Sequence, residues 1–383
     1  ATLAMSQKSN EMKAQGVDVI NMSVGEPDFN TPDHIKEAGK KAIDDNFSKY
    51  SPVPGYMDLR EAIVEKLKKE SGLDYTTNEV IAGTGGKQGV CNTILALVNP
   101  GDEVIIPAPY WVSYPQMTKL AGGTPVIVRA GFEQDFKMTA EQLEAAITPK
   151  TKMLILCSPS NPTGSVYSQE ELNALAEVIL KHEDIFVLSD EIYEHINYVG
   201  KAASIASYPG MKERTIICNG VSKAYAMTGW RLGWVAAPAW IVKGINKLQG
   251  QYTSGTCDVS QKAAVAAYVA SQDCVEQMRV AFERRRDLIV KLAKDIPGLE
   301  VNVPQGAFYL FPKCSSFFGK SDGETVINNS TDFAMYILEK AHVATVGGDA
   351  FGDPDCFRMS YATSDDNIRE AMRRIKEVLA VLK

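Results

Sequence analysis

The feature that most constrains this chain is a repeated pairing. Short apolar runs alternate with longer stretches of helical period. The runs are Val80-Ile81-Ala82, Val104-Ile105-Ile106, Pro125 to Arg129, Met153 to Cys157, Ile185 to Ser189, Thr215 to Cys218 and Leu232 to Ala236. Several are continuously apolar rather than alternating. A strand of that kind is buried on both faces, as in a parallel sheet covered by helices on each side. Capping boxes mark two of the intervening helices, Thr139 with Gln142 and Ser168 with Glu171. Nearer the N-terminus, Ala4 to Gln15 predicts a helix ended by Gly16, and Asp18 to Val24 a strand. Thr31-Pro32-Asp33 predicts a helix start with Thr31 as N-cap.

Past Ser260 the pattern is mostly helical. Beyond Pro297 it changes to strands (Phe308 to Phe311, His342 to Val346, Phe357 to Tyr361) mixed with two helices. The expectation is an α/β chain: a large domain over residues 31–282 with a mostly parallel seven-stranded sheet, and a smaller α+β domain formed by residues 1–30 and 283–383. A length of 383 residues accommodates this at roughly 150 residues per domain.

Charge and cysteine usage exclude several classes. Net charge is -7, from 47 acids against 40 bases, so nothing offsets phosphate repulsion across a nucleic-acid interface. The longest apolar stretch, Leu232 to Val242, is broken by Gly233 and Pro238 and falls short of the ~18 residues of a membrane span. Seven cysteines form no CxxC pair, and the four histidines lie far apart, which argues against zinc and for a reducing, cytoplasmic compartment. Asn328-Asn329-Ser330 matches a glycosylation sequon by chance.

Five segments carry chemistry. In Gly83-Thr84-Gly85-Gly86-Lys87-Gln88-Gly89 a strand enters a glycine-rich turn that opens a helix reaching about Val98. Helix N-terminal N–H groups bind anions, and glycines let a phosphate approach. Gln88 breaks both the dinucleotide fingerprint and the P-loop pattern, so the turn is a phosphate cradle of another kind or merely a tight turn. Ser158-Pro159-Ser160-Asn161-Pro162-Thr163-Gly164 follows an apolar strand and alone would pass for an ordinary loop. Leu188-Ser189-Asp190-Glu191-Ile192-Tyr193 puts Asp190 at the carboxyl end of a buried strand, where ligands collect in open α/β sheets. Ser222-Lys223-Ala224-Tyr225 sets a lysine among small and apolar residues at another strand end. Burial there would lower its pKa and make it a nucleophile for carbonyls. Arg358, inside the apolar run Cys356 to Tyr361, needs an anionic partner: a substrate carboxylate or an internal ion pair.

In this order the segments resemble the class I and II aminotransferases of the aspartate aminotransferase family, fold type I enzymes dependent on pyridoxal 5'-phosphate. The resemblance runs from Val24-Gly25-Glu26-Pro27-Asp28-Phe29 to the last helix and is most specific in Ser160 to Gly164 and Ser222 to Arg231. It implies that Lys223 holds the cofactor covalently and Asp190 faces its ring nitrogen. Asn161 and Tyr193 would bond its phenolic oxygen, and Trp111 would stack on its ring. Gly85, Gly86, Lys87, Ser222 and Arg231 would surround its phosphate. Arg358 and Gly25 would take the substrate α-carboxylate, with Asn161 and Trp111 alongside. Tyr50 would reach the phosphate of a neighbouring subunit, in a homodimer with shared sites.

In one branch of the family a partner-subunit arginine binds the distal carboxylate. The matching region here, Lys247 to Ser254, has none. Gly85-Gly86-Lys87-Gln88 instead resembles a bacterial and plant branch, which makes Lys87 the candidate for that carboxylate, with Thr2 as a possible helper. The implied reaction is reversible amino transfer from L-aspartate to 2-oxoglutarate, with small amino and 2-oxo acids as partners. A prephenate or aromatic aminotransferase of the same branch and a C–S lyase are the alternatives.

Overall fold

A computed structural model describes residues 2–383, excepting the side chains of residues 2–4 and 6, so Thr2 lies outside the described side chains. Twelve strands occur among the described residues. They are β1 (Ile20–Asn21), β2 (Val80–Gly83), β3 (Glu103–Ala108), β4 (Thr124–Arg129), β5 (Thr151–Cys157), β6 (Phe186–Asp190), β7 (Thr215–Gly220), β8 (Gly233–Ala236), β9 (Tyr309–Leu310), β10 (Val343–Ala344), β11 (Val346–Gly347) and β12 (Phe357–Ser360).

Seven of them form one sheet in the order β2-β8-β7-β6-β5-β3-β4, antiparallel only where β8 meets β2 and β7. All six residues of β7 are buried, Thr215 and Asn219 along with the apolar Ile216 to Cys218, whereas the edge strand β4 keeps Thr124, Ile127 and Arg129 exposed. The register aligns Cys157, Asp190 and Cys218 across β5, β6 and β7, so these strands end together. On the same edge, Gly233 of β8 lies between Gly83 and Gly220.

A three-stranded sheet, β11-β12-β9, carries Arg358 opposite Val346 and pairs Ser360 with Tyr309. β1 pairs in parallel with β10, tying the N-terminal segment to the C-terminal third. One apolar cluster joins Ile20 and Met22 to Phe282, Phe308, Phe357 and Ile375.

Both expected capping boxes form. Three local expectations need correction. Thr31 is not an N-cap: the helix Asp33–Asp44 starts after Pro32, while the Thr31 hydroxyl donates to the Ala226 carbonyl and accepts from Trp230 Nε1. The strand expected over 18–24 shrinks to β1: Met22 still bonds Ala344 and Ser360, but from Val24 onward the chain lines a cavity instead of pairing. The strand expected over 342–346 divides into β10 and β11, which belong to different sheets. Asn329, inside the sequon, is the N-cap of the helix Ser330–Tyr336 and accepts from the Asp332 N–H.

Candidate active site

A cavity of about 460 Å³ opens where β5, β6 and β7 end, between the large sheet and the sheet that carries Arg358. Its position follows from topology, since crevices form at the carboxyl ends of parallel strands.

The lysine is the chemical centre. Lys223 Nζ donates to the Gly25 carbonyl at 2.5 Å and stands 5.7 Å from the Tyr193 ring centroid. No carboxylate is bonded to it among the described residues. Burial lowers its pKa to about 8, against the attraction of Glu26 and with the repulsion of Arg358. A lysine in that state offers a free amine near neutrality.

Asp190 lies at the end of β6, buried, and its Oδ2 accepts from Tyr114 Oη at 2.6 Å. Burial raises its pKa, and the Tyr114 hydroxyl opposes that rise. Asn161, in the loop after β5, accepts from Arg358 Nη1 at 2.8 Å, and Arg358 Nη2 donates to the Ser23 carbonyl at 2.6 Å. The Arg358 guanidinium is buried, carries no carboxylate partner among the described residues, and leaves Nε unbonded. An uncompensated buried guanidinium facing a cavity is a carboxylate site by its chemistry.

At the opposite end is the glycine turn. Gly85 sits at φ +81°, and a Cβ there would collide with the Arg231 guanidinium. A Cβ on Gly233 would strike the backbone of Gly85 and Gly86, so β8 packs flush against the turn. Beyond it the helix Gly86–Leu97 begins, so the N-terminal end of a helix stands at this turn. Gln88, the residue that breaks both nucleotide patterns, accepts from the Thr84 N–H at 2.6 Å and donates to Thr253, closing the turn. Ser222, Lys87 and Arg231 also line the cavity. Lys87 Nζ lies 5.0 Å from the Trp111 ring centroid.

Eleven of the thirteen residues singled out from the sequence therefore border this one cavity. Gly85 stands just behind it against Arg231, and Tyr50 lies elsewhere, fully exposed on this chain. Two tyrosines escaped the sequence reading. Tyr114 lies three residues beyond Trp111, its N–H on the Trp111 carbonyl and its ring against the indole, a proximity in sequence that could have flagged it. Tyr309, on β9, meets Tyr193 hydroxyl to hydroxyl at 2.7 Å; its sequence signal was only that of a strand.

The profile of the family described as "Aminotransferase class I and II" matches residues 17–375. An aspartate/prephenate aminotransferase of Cereibacter sphaeroides is 49% identical over all of this chain and 96% of that protein. A bifunctional aspartate aminotransferase and glutamate/aspartate-prephenate aminotransferase of Petunia hybrida is 48% identical over all of this chain and 81% of that protein. Among solved structures, the aspartate aminotransferase of Rhizobium meliloti superposes with a TM-score of 0.96 at 43% identity, covering 100% of this chain and 96% of the other. That of Thermus thermophilus with maleate gives 0.93 at 40% identity, covering 99% and 96%. The chain belongs to the class I and II aminotransferases of fold type I, enzymes whose cofactor is pyridoxal 5'-phosphate.

Proposed function

We propose that the chain catalyses reversible amino transfer from L-aspartate to 2-oxoglutarate, giving oxaloacetate and L-glutamate in two alternating half-reactions. The observation that carries this reading is a lysine amine of lowered pKa in one cavity with a buried aspartate and an uncompensated buried arginine. The residues present fit the cofactor. A glycine cradle with Arg231 against it suits the phosphate, and Lys223 suits the aldehyde. Asp190, buried without a cationic bond, suits a protonated ring nitrogen.

When bound, the cofactor supplies an aldehyde for amines and a ring that accepts electrons released at the substrate Cα. The protein's part is to place charges and move protons. Gly86, Lys87, Ser222 and Arg231 would hold the phosphate through backbone N–H groups and side chains. Asp190 would keep the proton on the ring nitrogen, Trp111 would cover the ring, and Asn161 and Tyr193 would bond the phenolic oxygen. Arg358, with Gly25 beside it, fixes the α-carboxylate and so orients the Cα–H bond. With its Nζ free in the cavity, Lys223 would be the base that carries the Cα proton.

Lys87 supplies the charge for the distal carboxylate. It has no carboxylate partner among the described residues, and region 247–254 offers no arginine. A relative named for both aspartate and prephenate makes prephenate the second acceptor to test. We assign the enzyme to the cytoplasm, in keeping with seven free cysteines, and to a homodimer in which the exposed Tyr50 serves the neighbouring site. The chain divides into a large domain over 31–282 and a small one of 1–30 with 283–383. The β1–β10 pairing supports this, although the helix Asp273–Lys294 crosses the division.

A panel of aspartate, glutamate, tyrosine, phenylalanine and prephenate, with cofactor spectra recorded in parallel, tests the reading. Aspartate turnover is expected, with loss of the absorption band and of activity by at least ~10⁴-fold in Lys223→Ala. Turnover surviving in that variant would overturn it. Lys87→Ser should raise KM for dicarboxylates about 10- to 100-fold, the range of a charged hydrogen bond, with little change for phenylalanine. Equal losses for both would return Lys87 to the phosphate alone.

A further inference from the structure

Tyr309 stands outside the residues assigned so far, yet it touches two of them. Its hydroxyl lies 2.7 Å from that of Tyr193, and each of these buried groups has the other as its single hydrogen-bond partner among the described residues. Its ring lies 4.6 Å from the Arg358 guanidinium carbon, with Phe351 at 4.8 Å from the same atom. Tyr309 is also held by the backbone of that arginine's strand, paired with Ser360 on β12. A Cβ at Gly25 would meet the Tyr309 hydroxyl at 2.5 Å, so the chain passes closely over it.

A hydroxyl has one hydrogen to give. The Tyr309 hydrogen has one acceptor in reach, the Tyr193 oxygen. Either hydroxyl can donate across this contact, but only Tyr193 has a second acceptor to meet, the cofactor's phenolic oxygen. With Tyr309 donating to the Tyr193 oxygen, the Tyr193 hydrogen is free to point toward the cavity that Tyr193 lines. Meanwhile the Tyr309 ring backs the guanidinium that faces substrate, a cation–π arrangement that fixes its plane. We propose that Tyr309 is a positioning residue for amino transfer: its hydroxyl aims Tyr193 as a donor to the cofactor's phenolic oxygen, and its ring sets the plane of Arg358.

The inference rests on the proposed cofactor chemistry, and the experiment separates the two. In the holoenzyme, Tyr309→Phe removes the hydroxyl and keeps the ring. A weaker donor at the phenolic oxygen favours the protonated cofactor–lysine linkage. The midpoint of its spectral pH titration should therefore rise by about 0.5 to 1 unit, the proportion for one hydrogen bond. The kcat should fall about 3- to 10-fold, with KM for aspartate within about 2-fold. Tyr309→Leu, which also loses the ring, should add a KM increase of about 5-fold or more. Tyr193→Phe should by itself shift the midpoint, and adding Tyr309→Phe should shift it no further, because both act through one hydroxyl.

An unmoved midpoint in Tyr309→Phe, or additive shifts in the double variant, would overturn the inference while a normal parent spectrum left the function standing. A parent without the cofactor band would remove the functional reading and this inference together.

Discussion

Lys66 and Lys223 are both enclosed by protein, and consecutive residues attend to them: the Tyr193 ring lies near Lys223, and the Glu194 carboxylate binds Lys66 at 2.6 Å. Burial works against both ammonium groups. At Lys66 the fields of Glu194 and Glu70 outweigh it and hold the pKa above its ordinary value. Glu70, also bonded to His195, drops to about 2 despite its own burial. At Lys223 burial prevails over Glu26 and Asp190, and the pKa falls to about 8. Enclosure therefore does not decide what a lysine does; the count of carboxylates in contact does. The fold spends two acids, Glu70 and Glu194, on a structural lysine and none on the one that faces the cavity.

The same substitution at the two positions should act with opposite sign. Lys66→Met leaves Glu70 and Glu194 without their cation, a loss of about 3–5 kcal/mol. Denaturant unfolding of the cofactor-free protein measures it, and a loss below about 1 kcal/mol would erase the contrast. Lys223→Met instead removes an uncompensated buried charge. Its folded pKa, about 8, lies below the ordinary 10.5, so the folding penalty is fully present below pH 8 and fades as pH rises toward 10.5. Cofactor-free Lys223→Met is thus expected to be more stable than the parent at pH 7 by about 1–3 kcal/mol, with the gain disappearing near pH 10.5. A loss at pH 7, or a gain that ignores pH, would mean that Lys223 has a partner elsewhere.

This contrast also shows where sequence legibility ends. The strands of the large sheet were readable because continuous apolar runs leave few other solutions, and β7 is buried along its whole length. Asp190, Asn161, Lys223 and Arg358 were readable because each sits just past or within such a run, in a short segment with its own pattern. What sequence did not carry were pairings made across the fold. Thr31 has the local signature of a cap, but Ala226 and Trp230 claim its hydroxyl. Lys66 reads as one more lysine on an amphipathic helix; only packing against the turn at Glu194 reveals its charge balance. Tyr309 reads as strand filler until β9 and β12 pair and bring it under Arg358.

The smallest effect concerns the carboxylate that shares the cavity with Lys223. Burial pushes Asp190 toward its neutral form, and the Tyr114 hydroxyl, donating to Oδ2 at 2.6 Å, opposes this. Tyr114→Phe keeps the buried ring and deletes the donor, so the ionised form loses about 1 kcal/mol of support. Asp190 should then take a proton at higher pH, losing the charge that would hold a proton on the ring nitrogen. The acid limb of the kcat/KM profile is expected to move up by about 0.5 to 1 unit, with kcat at neutral pH falling about 2- to 5-fold. An acid limb that stays in place would show that a donor other than Tyr114 keeps Asp190 ionised. The cavity would then hold its carboxylate as redundantly as Glu70 and Glu194 hold Lys66.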